Sequence, residues 1–323
     1  MSLLFIYFYF LYIKRKMPAK KKSSVQTPFL KWVGGKTQIL EKVLSTFPKT
    51  IRTYHEPFLG GGSVLLGLLS KVKSGDIQCS AFHAYDINET LIHVYKNLQS
   101  YPNELIFELS QLVKDYSNIT GEEINREAST LEQANTSKES YYYYIRKQYN
   151  GLSQSDKNTL IGSALFIFLN KTCFRGMYRV GPNGYNVPFG HYKTVSVYDE
   201  EELLTISRLI QPVVFECKDF STVLSQSFVP DDFIYLDPPY APETNKSFVG
   251  YTSDGFSLEK HQQLFELCHK SNTRLCLSNH YVTLVTESFK APKYHTDVVV
   301  CKRSINSKNP GETTNEVLIT TVC

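Results

Sequence analysis

Phe233-Ile234-Tyr235-Leu236-Asp237-Pro238-Pro239-Tyr240 decides how this 323-residue chain is read. Four apolar residues make a short buried strand, and the carboxylate and two prolines behind them end it at once. Proline fixes φ and removes a backbone donor, so the turn is rigid. It would hold the Asp237 carboxylate beside the Pro238 carbonyl, two acceptors with the Tyr240 ring close by as a stacking surface. Such a pair suits a planar group bearing an exocyclic NH2. Open α/β sheets bind ligands at the carboxyl ends of their strands, where this motif would stand. The plainer alternative is a strand stopped by a proline turn with no chemistry attached.

Outward from that strand, apolar runs alternate with helical spacing on both sides. Upstream lie a strand over Thr53 to Pro57, a helix from Val64 to Lys71, a strand from Ala81 to Asp86, and a later strand at Val213 to Glu216. Downstream come a helix around Leu258 to His269 and a strand from Arg274 to Ser278. An amphipathic helix is expected from about Gln38 to Phe47, stopped by Pro48. Together these resemble a doubly wound α/β sheet. The stretch between, from Glu89 to Ser155 and on through a helix at Leu160 to Leu169, is helical and polar, with the run Tyr141-Tyr142-Tyr143-Tyr144. The chain therefore divides into a tail (1–27), a first part of an α/β domain (28–91), an insertion (92–198) and the second part (199–323).

Aromatic residues at 13% and charged residues at 20% describe a packed globular chain and exclude global disorder. The formal net charge is +4, but Lys14, Arg15, Lys16, Lys20, Lys21 and Lys22 precede any acid, so the remainder is near −2. A function on nucleic acid then needs a local basic surface. From Lys157 to Tyr198 there is no Asp or Glu, while Lys157, Lys171, Arg175, Arg179 and Lys193 give +5 over 42 residues. A solvated loop face is the alternative there. Seven cysteines without a C-x-x-C pair fit reduced thiols inside the cell, and no residue pattern calls for a metal. The apolar run Ser2 to Ile13 is shorter than the ~20 residues of a membrane span. Met17-Pro18-Ala19 reads as a natural start, so residues 1–16 are expected to be absent from the working protein, and no membrane attachment is expected.

Phe58-Leu59-Gly60-Gly61-Gly62 follows the first strand, where missing side chains let a ligand approach the backbone. Asp86, roughly 25 residues on at the end of the next strand, is placed to accept hydrogen bonds from ribose hydroxyls. Gly34-Gly35-Lys36-Thr37 imitates the end of a phosphate loop, but Leu30 stands where that loop requires glycine.

Taken together, F-L-K-W-x-G-G-K, E-P-F-x-G-x-G-S and D-P-P-Y, in that order, resemble the motifs of the Dam-like, D12-class (alpha-group) DNA adenine-N6 methyltransferases. Asp86-Ile87-Asn88, Asn186 to Lys193, Ser278-Asn279-His280 and Arg303-Ser304-Ile305 agree with the family's order, and the resemblance spans about 28–322. It implies a Rossmann-like methyltransferase sheet with an inserted, mainly helical target-recognition domain. It implies S-adenosylmethionine held by Trp32, Lys36, Phe58, Gly60, Gly62, Asp86, Phe220 and Asp237, with the lysine neutralising the methionine carboxylate. A core aromatic is the alternative for Phe220.

The implied reaction extrudes adenine from double-stranded DNA, because its N6 cannot be reached inside the stack. Asp237, Pro238 and Tyr240 would be the catalytic residues, with Phe248 or Tyr251 closing the pocket and no metal taking part. Asn170 to Arg179 is the segment that reads the target, with Phe174 filling the space left in the stack. Lys31, Arg175, Met177, Arg179, Asn186 and Pro188 complete the expected DNA contacts. Relatives that methylate GATC commonly carry Asn at the position of Arg175. An Arg there is similar to the branch associated with CATG, so a site ending in ATG or ATC is expected, CATG before GATC. A cognate restriction endonuclease of a restriction-modification system is the expected companion. The competing readings are methylation of RNA adenine, cytosine N4 or a protein amide, and a catalytically silent DNA-binding protein. The leading Asp of the motif disfavours the other methylations, and intact Lys36, Asp86, Asp237 and Tyr240 disfavour the silent protein. Glu312 and Asn315 depart from the family, standing where many relatives are basic.

Overall fold

β6, Phe233–Leu236, is buried at every residue, as a strand covered on both faces must be. Alternate side chains serve different cores: Phe233 and Tyr235 join the larger apolar cluster, whereas Ile234 and Leu236 join the smaller one on the opposite face. The computed structural model that shows this describes residues 25–242, 256–302 and 313–322. The N-terminal apolar run and basic cluster, Phe248, Tyr251, Arg303, Ser304, Ile305 and Glu312 lie outside the described residues.

Among the described residues, seven strands form one sheet in the order β5-β2-β1-β6-β7-β9-β8. β1 is Thr50–Glu56, β2 Gln78–Asp86, β5 Val213–Cys217 and β7 Arg274–His280. These four and β6 run parallel. β8, Tyr294–Lys302, and β9, Thr313–Thr321, add an antiparallel edge. The chain moves outward from β1 to β2 to β5 and then returns to the other side of β1 as β6. That reversal opens a crevice at the carboxyl ends of β1 and β6. Register brings Tyr54 beside Phe233 and His55 beside Ile234; continued, it sets Phe58 level with Asp237, so the two turns leave the sheet next to each other.

The segment between β2 and β5 is helical apart from a hairpin of β3 (Val180–Gly181) and β4 (Gly184–Tyr185). The helix Leu160–Thr172 is its centre, buried almost throughout, and packs on the helices Glu89–Ser100, Pro102–Asn118 and Lys138–Gly151. Of the four tyrosines, Tyr141 and Tyr142 are buried, and the Tyr142 hydroxyl donates to the Val187 carbonyl at 2.7 Å. The helix Glu89–Ser100 begins at an Asn88 cap and touches both the sheet and the Leu160–Thr172 helix. The inserted segment thus shares one apolar cluster with the sheet.

Candidate active site

The turn after β1 is built around Asp86. Its Oδ2 accepts the Gly60 N–H and its Oδ1 the Asn88 N–H, each at 2.9 Å, while the Leu59 N–H reaches the Tyr85 carbonyl at 2.9 Å. Gly60 and Gly62 adopt φ of 50° and 67°, the left-handed region that glycine enters without penalty. Sequence reading assigned these glycines to a ligand, but the structure supplies nearer neighbours. A Cβ on Gly60 would stand 2.8 Å from Trp32 Cδ1, and one on Gly62 would stand 2.6 Å from the Tyr95 hydroxyl. The indole itself is stacked near Tyr178 and Phe166. Burial raises the Asp86 carboxyl against the hydrogen bonds that favour its charge.

Lys36 opens a short 3-10 turn, and its N–H donates to Ser63 Oγ at 3.1 Å. The side chain is 4% exposed, with Nζ 2.8 Å from Asp237 Oδ2 and 4.8 Å from the centre of the Tyr240 ring. It also donates to the Gly34 carbonyl. Burial pushes the Asp237 carboxyl up to about 6 although the Lys36 ammonium pulls it down; Glu316 adds to the rise. The motif is locked from behind. The Ala241 N–H donates to Asn279 Oδ1 at 2.9 Å, His280 Nδ1 meets the Ala241 carbonyl at 3.0 Å, and His261 Nε2 meets the Pro239 carbonyl at 3.1 Å.

Lys36, Asp237, Tyr240, His280 and Glu316 line a cleft of about 1040 Å³ that also takes in Asp86, Phe220 and Arg175. One wall is aromatic: Phe58 and Phe220 are stacked at 5.5 Å, with Phe256 against both. Phe220 is at once a core side chain and a lining one. Glu56, also lining the cleft, is buried and accepts the Tyr54 hydroxyl at 2.7 Å; burial pushes it up to about 8. All the residues expected at the cofactor and the catalytic turn therefore border the cleft except Gly62, which faces Tyr95. Sequence reasoning missed Glu56 as an ionisable group, His261 and Glu316. Glu56 stood inside a quoted motif, whereas nothing local marked the other two.

Of the expected DNA-contacting residues, Arg175 lines the cleft. Asn170 clamps the Lys31 backbone, accepting its N–H at 2.9 Å and donating to its carbonyl at 2.7 Å. The Lys31 ammonium lies 3.9 Å from the Tyr192 ring centre. Phe174 is 41% exposed, Arg175 sits over its ring at 5.1 Å, and Arg175 has φ 57°. Pro188 accepts the Phe174 N–H through its carbonyl at 2.8 Å, and Arg179 Nε donates to Asn186 Oδ1 at 2.6 Å. Met177 differs from the rest: it is half-buried, in a gap lined by Tyr149, Phe166, Tyr178 and Tyr185. Among the described residues no group of three or more His, Cys, Asp or Glu could hold a metal, and no helix is long and apolar enough to cross a membrane.

Comparison with known proteins agrees with this geometry. The family model of the D12 class N6 adenine-specific DNA methyltransferases matches residues 32–303. A type II methyltransferase, M.MjaIII, of Methanocaldococcus jannaschii is 36% identical over 87% of this chain and 93% of its own length. The DNA adenine methylase of Haemophilus influenzae is 31% identical over 92% of this chain and 94% of its own, and that of Vibrio cholerae 30% identical over 88% and 92%. With most of its length matched by the model and by relatives this similar, the chain belongs to the D12 class of N6 adenine-specific DNA methyltransferases.

Proposed function

We propose that this enzyme transfers a methyl group from S-adenosylmethionine to N6 of an adenine extruded from a short double-stranded DNA site, CATG in preference to GATC. A restriction endonuclease specific for the same site is the partner this reading assigns, and the cell interior its place of action. One observation carries the proposal: Asp237 and Lys36 pair at 2.8 Å with the Tyr240 ring against the lysine, in a cleft that Arg175 of the inserted segment also lines.

The side chains present suit S-adenosylmethionine. Lys36 is a buried cation for a carboxylate, the Phe58–Phe220 wall suits a purine, and Asp86 keeps acceptor capacity for a ribose beyond its bonds to backbone N–H groups. When bound, the cofactor supplies an electrophilic methyl group on a sulfonium. The rest of the chemistry belongs to the chain. Asp237 and the Pro238 carbonyl accept the two N–H bonds of the adenine amine, drawing its lone pair out of conjugation with the ring. Lys36 keeps Asp237 in place and tempers its charge. On methylation the amine sheds one proton, and Asp237, raised to about 6, is basic enough to take it. Tyr240 stacks on the flipped base, and Phe174 fills the gap it leaves. Arg179 suits a bidentate contact with guanine O6 and N7; to make it, the guanidinium must share or give up Asn186.

Plasmid methylated by the purified enzyme and digested with endonucleases blocked at CATG or at GATC tests the site. Protection at CATG is the expected result. Protection against a GATC-cutting enzyme alone contradicts it.

A further inference from the structure

Glu316 stands on β9, a strand that carries none of the three motifs, yet it lines the cleft. β9 runs antiparallel to β7 with Glu316 opposite His280. Those two side chains hold the Tyr240 ring between them. His280 meets the ring edge-on at 4.8 Å between centres, and Glu316 Oε2 accepts the phenol hydroxyl at 2.7 Å. The Lys36 ammonium, shared with Asp237, lies 4.8 Å from the ring centre. A phenol ring swings about its Cα–Cβ bond unless its far end is tied, while rotation about the Cβ–Cγ axis, on which the hydroxyl oxygen lies, is restricted by the edge-on His280 ring; a hydrogen bond to a carboxylate is about twice as strong as one between neutral groups.

Stability alone gives Glu316 little reason to be there. A second carboxylate beside Asp237 repels it, and an amide side chain would still accept the phenol hydroxyl without that cost. We infer that Glu316 is a positioning residue for methyl transfer: by holding the Tyr240 hydroxyl it fixes where the ring that the target adenine stacks on stands over the site, and so where the amine meets Asp237. The inference rests on the proposed stacking of an extruded adenine on Tyr240.

The test uses the full chain in four variants: Glu316→Ala, Glu316→Gln, Tyr240→Phe, and Glu316→Ala combined with Tyr240→Phe. Single-turnover methylation is measured together with the fluorescence of 2-aminopurine placed at the target base. Glutamine still accepts the phenol hydrogen bond through its carbonyl oxygen. Glu316→Ala and Tyr240→Phe should each slow methylation roughly tenfold or more, as expected for a misplaced reactant, with KM for DNA changed far less. The double variant should be no slower than the slower single one, and Glu316→Gln should recover part of the loss. Multiplying losses in the double variant, a Glu316→Ala rate equal to wild type, or a Gln variant no better than Ala would overturn the inference. Should Glu316→Ala not fold, Tyr240→Phe carries the test, because a wild-type rate there shows that the hydroxyl bond does nothing. Failure of the underlying reading looks different: the wild-type enzyme would methylate adenine with no rise in 2-aminopurine fluorescence.

Discussion

Replacing Glu56 with glutamine should stabilise the protein in alkaline solution and leave it unchanged in acid. The Glu56 carboxyl is 2% exposed and stands at about 8 rather than its ordinary 4.5, chiefly through burial, with Asp237 and Asp86 adding to the rise. At pH below 4.5 the carboxyl is protonated whether the chain is folded or not. Between 4.5 and 8 the folded protein keeps a proton that the unfolded chain has released, so stability falls by about 1.4 kcal/mol for each pH unit. The loss reaches about 3 kcal/mol at pH 7 and roughly 5 kcal/mol above pH 8, where it levels off. The glutamine side chain keeps an oxygen for the Tyr54 hydroxyl, which Glu56 accepts in the wild type, and has nothing to titrate. Urea unfolding at pH 5, 7 and 9, followed by the fluorescence of the single tryptophan, gives the comparison. The two proteins should differ by less than about 1 kcal/mol at pH 5, with Glu56→Gln pulling further ahead as pH rises. Parallel curves at all three values would refute the reasoning.

Other consequences concern the rate and the target. Since Asp237 is the stronger acceptor when ionised, and only then able to take the proton the amine sheds, kcat/KM should fall as pH drops through about 6, and a rate flat to pH 5 would argue against that role. In Gly60→Ala the new Cβ would stand 2.8 Å from the Trp32 ring at φ 50°. That change should cost about 1–3 kcal/mol of stability by urea titration and weaken S-adenosylmethionine binding by calorimetry. Arg179→Ala should relax discrimination at one guanine by about 1–3 kcal/mol, read from methylation rates on duplexes substituted at that position; equal rate ratios in the two proteins would remove Arg179 from base reading.

The sheet was legible where an apolar run ends in a residue with a geometric duty. Asp237-Pro238 closes β6 and Asp86 closes β2, so both strand ends could be placed from the sequence. β9 carries an equally apolar Val317-Leu318-Ile319, but what sets its function is its pairing with β7, which no local pattern discloses. Glu316 meets Tyr240 across 76 positions, and His261 meets Pro239 across 22. Contacts of that range depend on the order of the strands. The same holds for the glycine turn: its sequence announces left-handed backbone, while Trp32 and Tyr95, which require the missing side chains, arrive from elsewhere. Similarly, the helix Glu89–Ser100 reads as one amphipathic segment, although one part of its surface serves the sheet and another the inserted helices.

The most direct measurement is transfer of labelled methyl from S-adenosylmethionine to unmethylated duplex DNA by the wild type and by Asp237→Ala, with modified bases mapped by single-molecule sequencing. Label on adenine N6 at one short motif, absent with Asp237→Ala although that variant still binds the cofactor, is the predicted result. Equal labelling by both proteins, or label on any other base, would contradict the account.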